Sequence, residues 1–565
     1  MKTRYIICIA LAAIGVDLSA QTNPNDTTLH RTVVVEKEYN PIIQGASKVN
    51  VLPRVEEPVV TQKQVEYALG AIPSRAVPIS LVQPFVAKEY EPKGYLGYLR
   101  LGYGNLGNLD TRAHYTFNIS PKDKLAFDFT LYGMNGKLDQ LFDGEGKWKS
   151  RYYRTQAAID YTHQFYSADL SIFGKVGVNN FNYADRAPLI GGSTRETDTG
   201  RLFDAEKQRF NSVAFGVNVK STNESAMILY DVTTQFMHYG RQFDLVDTKE
   251  LKESLVKTNV HLWSILDQEN KIGLDIDMDN RFVNSDSIKN YTTIGLNPYY
   301  ALDVDSWKIR LGAHLDPSLG YGKGFSVAPD VDIQYIFADS YVLYAKAGGG
   351  RIHTNFRRFE ELAPYTLIAG KNKDTYEQLN ASLGFKASPI PGLWLTLYGG
   401  FQKLKDDLYQ DVNEPVLADS RAFTTFANED TKNFYGGLGL QYAYKDIFKF
   451  DLSGVGRKWK TDGIDNLALL FKPKMEIDAG IMVRPISPLQ IGVNYKLVTR
   501  EEPDSWESRF KVEDISNLSA YASYAILKQL SVYAKADNLL NKKYQYYYGY
   551  PVQGVSFIGG LSFKF

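Results

Sequence analysis

The chain has 565 residues with 64 basic and 64 acidic side chains, so net charge supplies no attraction to nucleic acid. Hydrophobic residues make up 44%, yet no apolar run reaches the roughly 18 residues that suggest a membrane helix. The 39 Tyr and 30 Phe are residues that favour pleated, half-buried surfaces and membrane–water interfaces.

Residues 1–20 read as a secretory signal. Lys2 and Arg4 form a basic end, Tyr5 to Val16 an apolar centre, and Leu18-Ser19-Ala20 a cleavage site before Gln21. The only cysteine, Cys8, lies inside that signal, so the mature chain is expected to have no disulfide, thiolate metal site or cysteine nucleophile.

Residues 21–93 hold eight of the 22 prolines. Proline removes backbone donors and breaks helices and central strands, so this stretch predicts an extended arm. Within it, Thr32, Val33, Val34 and Val35 have the alternating faces needed to add a strand to another sheet.

From residue 94 to 565, segments with two-residue periodicity are separated by connections that are alternately tight and long. Ser120–Asp123, Tyr166–Ala168, Lys445–Asp446 and Pro485–Pro488 are among the tight ones. The long polar stretches fall at 134–150, 181–207, 241–252, 282–290, 316–327, 351–374, 404–431, 460–472, 500–513 and 538–552. Short turns on one rim and long loops on the other are the asymmetry of an outer-membrane barrel.

The dyad pattern agrees. Ile272, Leu274, Ile276 and Met278 oppose Gly273, Asp275, Asp277 and Asp279, and Leu530, Val532, Ala534 and Ala536 oppose Ser531, Tyr533, Lys535 and Asp537. A soluble sheet with one wet face alternates too, but most segments here offer about ten residues or more, enough for a tilted crossing. Crossing segments are expected to start near 94, 109, 123, 151, 167, 207, 224, 252, 271, 290 and 305. The rest start near 328, 340, 375, 392, 432, 447, 473, 488, 514, 528 and 553, for a total of 22. The fold class is therefore an all-β, 22-stranded antiparallel transmembrane barrel with a short proline-rich arm. The barrel must close, because an open edge within lipid leaves backbone groups unpaired.

The seven His are scattered, with no pair at i,i+2 or i,i+4 spacing, and no Ser-His-carboxylate trio is assignable. No metal, cofactor or enzymatic activity is expected. Asp275, Asp277 and Asp279 either collect cations in the lumen or are wall residues balanced by lysines. Tyr544, Tyr546, Tyr547, Tyr548 and Tyr550 crowd one loop, either as a stacking surface for a sugar or peptide ligand or as part of an interfacial girdle. Loops 181–207, 351–374 and 404–431 could fold inward to close the pore, with Arg351, Arg357 and Arg358 as a basic patch.

The last strand places Phe557, Gly559, Leu561, Phe563 and Phe565 on one face, an ending like the signal read by outer-membrane insertion machinery. Before it stand Ala536-Asp537-Asn538-Leu539-Leu540-Asn541-Lys542-Lys543-Tyr544, then Gly549-Tyr550-Pro551 and Gly554-Val555-Ser556-Phe557. Over about 30 residues this closely resembles the C-terminus of TonB-dependent receptors, with Leu540 and Val555 in place of the commoner Phe and Arg. The resemblance implies a plugged barrel that moves a ligand across the outer membrane of a Gram-negative cell, with both termini periplasmic; barrels of 22 strands are of that plugged size. It also implies that Arg31-Thr32-Val33-Val34-Val35-Glu36 is a TonB box, although the segment could equally pair in the barrel mouth or with another periplasmic protein. Residues 21–93 are too few for the family's plug of well over 100 residues, so the plug is expected to be missing or a fragment. Two functions remain open: ligand transport, or a non-transporting barrel that scaffolds an outer-membrane complex.

Overall fold

A computed structural model describes residues 95–139, 147–184, 207–223, 225–242, 251–285, 288–320, 324–338, 340–368, 372–411, 424–461, 466–502 and 511–565. The signal 1–20, the arm 21–93 and the segment Thr32–Val35 lie outside the described residues.

Twenty-two strands form one antiparallel sheet. The first eight are β1 Gly97–Gly104, β2 Leu109–Ser120, β3 Asp123–Asp139, β4 Lys147–Gln164, β5 Ala168–Asn182, β6 Lys207–Ser221, β7 Leu229–Arg241 and β8 Lys252–Ile265. Then come β9 Asn270–Val283, β10 Tyr291–Val304, β11 Trp307–Leu319, β12 Phe325–Phe337, β13 Tyr341–Ile352, β14 Thr375–Ala387, β15 Leu393–Asp411 and β16 Thr425–Tyr444. Next are β17 Phe448–Thr461, β18 Pro473–Ile486, β19 Leu489–Arg500, β20 Ile515–Ala525 and β21 Leu530–Asp537. A separate two-stranded hairpin, β22 Gln545–Tyr547 with β23 Tyr550–Pro551, precedes the last barrel strand, β24 Ser556–Lys564.

Each strand pairs with its neighbour in sequence, and β1 also pairs with β24, closing the cylinder. The seam is finished by Gly97 N–H donating to Phe565 O at 2.7 Å and Phe565 N–H donating back at 3.0 Å. Without that pair, two strand edges would meet lipid with their backbone groups unsatisfied.

The expected strand starts hold to within three residues except at three places: β4 begins at Lys147, β7 at Leu229 and β16 at Thr425. In the expected loops 134–150 and 404–431, strands run on beyond the apolar zone. β15 and β16 reach 19 and 20 residues. Once a strand leaves lipid its outward face need no longer be apolar, as in Lys405-Asp406-Asp407-Leu408-Tyr409-Gln410-Asp411, and its alternation vanishes from the sequence. The β1–β2 connection, Asn105–Asn108, is the exception on the long-loop rim: four residues suffice, with Leu106 and Gly107 left-handed at φ 53° and 63°.

Outward-facing side chains are large and apolar along the strands: Leu101, Phe127, Val213, Phe215, Leu311, Leu383, Leu397 and Leu438 are all exposed. A belt of bare hydrocarbon on this scale is stable only against lipid. At the short-turn rim, Trp307, Tyr335, Phe337, Tyr341 and Phe385 lie in a row of neighbouring rings with centroids 4.7–6.4 Å apart. They are an interfacial girdle.

Inward-facing side chains are polar through most of the barrel. Asp275 bonds His261 at 2.9 Å and Arg310 at 3.0 Å, Asp277 accepts from Asn259, and Asp279 bonds His353 at 2.8 Å. The hydrogen-bonding partners of these carboxylates are histidine, arginine and asparagine, and Lys257 stands opposite Asp279 on the neighbouring strand. Among the described residues no group of three His, Cys, Asp or Glu side chains could hold a metal ion. Where inward tyrosines lie flat on the wall, glycines make room: an added Cβ at Gly437 would sit 2.4 Å from the Tyr398 ring, and one at Gly400 2.6 Å from Tyr435.

Candidate functional site

Toward the long-loop rim, the lumen-facing side of β3 to β8 changes character. Lower down it carries Asp128, Thr130, Ser171, Lys175, Thr233 and Lys257; nearer the long loops it carries Met134, Leu138, Trp148, Tyr152, Phe181, Phe210, Met237, Tyr239 and Leu255, all buried. Apolar side chains that face a pore need a partner inside it.

The connections supply that partner. Between β13 and β14 the chain forms a short helix, Phe356–Leu362, started by Asn355, whose side-chain oxygen accepts from Arg358 N–H at 2.9 Å. Phe356, Phe359 and Leu362 are its buried face. The helix lies across the wall from β8 to β4. Its first residue donates Phe356 N–H to Glu253 of β8 at 2.8 Å, and Asn179 of β5 donates its amide to Glu360 at 2.9 Å. Glu253 is ion-paired with Arg281 of β9, whose guanidinium lies over the rings of Tyr291 and Phe356. Burial pushes the Glu360 carboxyl up from its ordinary range, against the pull of Arg154.

Beyond the helix, Tyr365 stacks on Tyr550 with centroids 3.5 Å apart and planes 6° from parallel, and meets Trp148, Phe181 and Tyr547 edge-on. Tyr550 belongs to the β22–β23 hairpin, which therefore lies inside the barrel. On its other side the hairpin reaches the opposite wall, where Tyr548 N–H donates to Gln410 of β15 at 2.8 Å; within the hairpin, Gly549 N–H donates to the buried Gln545. One continuous apolar cluster runs from Met134 on β3 through Phe356, Phe359, Tyr365 and Tyr547 to Leu408, Phe426, Val498 and Ile515. It joins strands on opposite sides of the barrel, so it crosses the lumen. A third segment, 466–472, packs beside it: Lys472 pairs with Asp407 and lies over Trp459, while Phe471 meets Tyr548 edge-on.

The structure thus places Tyr544, Tyr546, Tyr547 and Tyr550 in this internal packing and leaves Tyr548 half-buried against Phe471. The outward belt at the short-turn rim is built from other residues. Of the three expected inward loops, 351–374 folds into the lumen, while most of 181–207 and the centre of 404–431 lie outside the described residues. Among the described residues the three arginines form no free basic patch there. Arg357 pairs with Glu361 at 2.8 Å, Arg358 bonds Ile352 O at 3.2 Å, and Arg351 approaches Asp374 at 3.9 Å. Phe557, Leu561, Phe563 and Phe565 all face outward and are exposed on β24 and its end.

Sequence reasoning missed the receiving surface. Its signal is the loss of alternation at the long-loop ends of β3 to β8, as in Leu131-Tyr132-Gly133-Met134, where both faces become apolar.

A charge cluster secures the other end of the helix segment. His353 bonds Asp279 at 2.8 Å and Asp374 at 3.3 Å, and Asp374 accepts from Thr354 N–H at 2.8 Å and Tyr291 OH at 3.1 Å. Burial alone would lower the imidazole, but the two carboxylates win and hold it up at about 9. Asp374 is burdened by burial in the opposite sense, and His353 and Thr354 bring it down to about 2. A histidine raised in the folded state stabilises fully below its unfolded value of about 6.5, and that contribution fades as pH rises toward about 9. Asp374 contributes above its unfolded value of about 3.9, fading toward about 2. Protection of residues 353–368 from hydrogen exchange, taken relative to the intrinsic base-catalysed rate at each pH, is therefore expected to fall between pH 6.5 and 9.5, and His353→Gln to flatten that dependence. An unchanged pH profile in the variant would remove His353 as the cause.

No family model matches the chain, and no curated protein matches it by sequence. Solved structures do match by fold. The FrpB iron transporter from Neisseria meningitidis (F5-1 variant) superposes with a TM-score of 0.65 at 11% identity, covering 84% of this chain and 83% of that one. The siderophore receptor PirA from Acinetobacter baumannii gives 0.65 at 11%, with 83% and 80% covered. The copper transporter OprC gives 0.60 at 14%, with 83% and 82% covered. The fold is that of a TonB-dependent receptor barrel. The resemblance in the C-terminal 30 residues thus extends to the whole described cylinder. These neighbours are outer-membrane receptors and transporters rather than enzymes, and this chain presents their barrel frame with an apolar cluster of its own connections across the long-loop half of the lumen.

Proposed function

We propose that this TonB-dependent-receptor-like barrel is a gated transporter of the outer membrane. The observation that carries the reading is the lumen-crossing cluster built from residues 353–368, 466–472 and the β22–β23 hairpin. A barrel of this width without a block leaks, and a block made of polar-anchored loops can be withdrawn, unlike a wall of strands. The long-loop rim faces outward, and the short-turn rim, with both termini, faces the periplasm. Residues 21–93 act as an arm in place of a plug. Phe557, Leu561, Phe563 and Phe565 present the face recognised during insertion. Released from Tyr365, Tyr547 and Tyr550 offer flat rings to a sugar or peptide ligand.

In a planar bilayer the intact protein is expected to stay silent, and a persistent large conductance would overturn the closure. Energy enters through Thr32, Val33, Val34 and Val35 adding a strand to TonB. Deleting residues 31–36 is expected to abolish co-purification with the periplasmic part of TonB; unchanged recovery would leave that contact without support. A non-transporting scaffold is the second reading, and it gains ground if no release of the loops opens the pore.

A further inference from the structure

The β13–β14 helix covers a row of lumen-facing residues that the strand register sets side by side: Tyr132, Arg154, Asn179, Phe210 and Arg241, on β3 to β7. Two of the five are arginines. Arg241 is only 3% exposed, its Nε has no hydrogen-bond partner, and no ion pair involves it among the described residues. Asn179 is as deeply buried, gives its amide to Glu360 and keeps its own oxygen without a partner. Glu360 is the carboxylate whose charge acts on both Arg154 and Arg241. Its neighbour Glu361 pairs with Arg357 instead. Glu360 thus enters, through Asn179, a row that holds two guanidinium groups, and that carboxylate belongs to the removable element rather than to the wall.

A buried guanidinium without a counter-ion, as at Arg241, is costly to keep, and a wall that sets it at one height with the half-buried Arg154 and the Asn179 amide suits a bidentate acceptor. We propose that Arg154, Asn179 and Arg241 form a carboxylate-binding site on the lumen wall, and that Glu360 fills it as an internal substitute while the lumen is closed. The ligand is then an acid, and its carboxylate competes with the helix for the same row. This makes ligand entry and helix release one exchange: the acid that displaces Glu360 also removes the contact that holds the helix to β5. The inference rests on residues 353–368 being a movable closure.

The test uses the full chain in detergent and two probes, glutarate as a free acid and the peptide Phe-Arg-Arg-Phe-Glu-Glu-Leu, which carries the helix's own carboxylates. Glu360→Ala vacates the site. By titration calorimetry it is expected to bind at least one probe roughly tenfold more tightly than the wild type, equivalent to about 1.4 kcal/mol. A gain for glutarate alone identifies a free small acid as the ligand, and a gain for the peptide alone identifies a protein side chain. Adding Arg241→Met to Glu360→Ala is expected to return binding to the wild-type level, with heat-modifiable migration confirming a folded barrel. If the double variant fails to fold, the comparison of Glu360→Ala with the wild type decides. Equal binding of both probes by Glu360→Ala and wild type overturns the site, as does undiminished binding by a folded double variant. A gain in Glu360→Ala alongside a barrel that never conducts leaves the site standing and removes only the transport reading.

Discussion

Replacing residues 355–368 by a glycine–serine linker of equal length is expected to convert a silent barrel into a conducting one. The segment supplies Phe356, Phe359, Leu362 and Tyr365 to the lumen-crossing cluster, and Tyr365 is the residue on which the tyrosine hairpin stacks. Its loss leaves Tyr550, Tyr547 and Trp148 facing one another across water. Those rings then lose the edge and face contacts that fix the hairpin inward, contacts worth about 0.5–1.5 kcal/mol per aromatic pair beyond their burial. A lumen enclosed by 22 strands is wide once its filling is gone, so conductance is expected to rise by roughly an order of magnitude or more over the intact protein. Recording single barrels in planar bilayers reads this directly. If the variant folds, inserts and stays silent, the β13–β14 segment is not the gate, and the scaffold reading becomes the better account.

Glu253→Gln is expected to free the same helix without removing it. Glu253 and Arg281 are 0% and 5% exposed at the side chain, and they hold the first residue of the helix through Phe356 N–H. Gln keeps the shape but withdraws the charge, leaving the Arg281 guanidinium buried against Tyr291 and Phe356 without its ion-pair partner and with only the more distant Asp374 charge. Breaking one side of a buried pair costs about 3–5 kcal/mol, whereas replacing both partners by apolar residues is often neutral. Hydrogen exchange in residues 356–362 should accelerate by roughly two orders of magnitude or more, since each 1.4 kcal/mol is tenfold, while exchange in the strands stays slow. The paired change Glu253→Leu with Arg281→Met should restore most of the protection. If the single variant exchanges at the wild-type rate, the ion pair does not hold the closure.

Much of the fold was legible because lipid and water impose simple demands. A strand such as β9 must show Ile272, Leu274, Ile276 and Met278 to lipid and Asp275, Asp277 and Asp279 to the lumen, and that alternation is printed in the order of residues. Strand ends were read less well where β15 and β16 leave the membrane, because there neither face needs to be apolar. The tyrosine-rich loop shows the larger gap. Tyr544, Tyr546, Tyr547 and Tyr550 carry the same side chains whether they lie in a girdle, on a ligand face or inside the lumen; only partners such as Tyr365 and Trp148 settle it.

By itself the amino-acid order determined the number of crossings, the two unlike rims, the closing strand and the family that its ending resembles. Each is set by neighbours one to about ten positions away, through pleat geometry, turn length and contact with solvent. Tertiary structure alone decided that an apolar cluster crosses the lumen, which side chains build it and that Glu360 reaches the row of Arg154, Asn179 and Arg241 through Asn179. Those segments are far apart in the chain, with a separation of 181 residues for Asn179 and Glu360, and no local periodicity encodes a meeting across the inside of a cylinder.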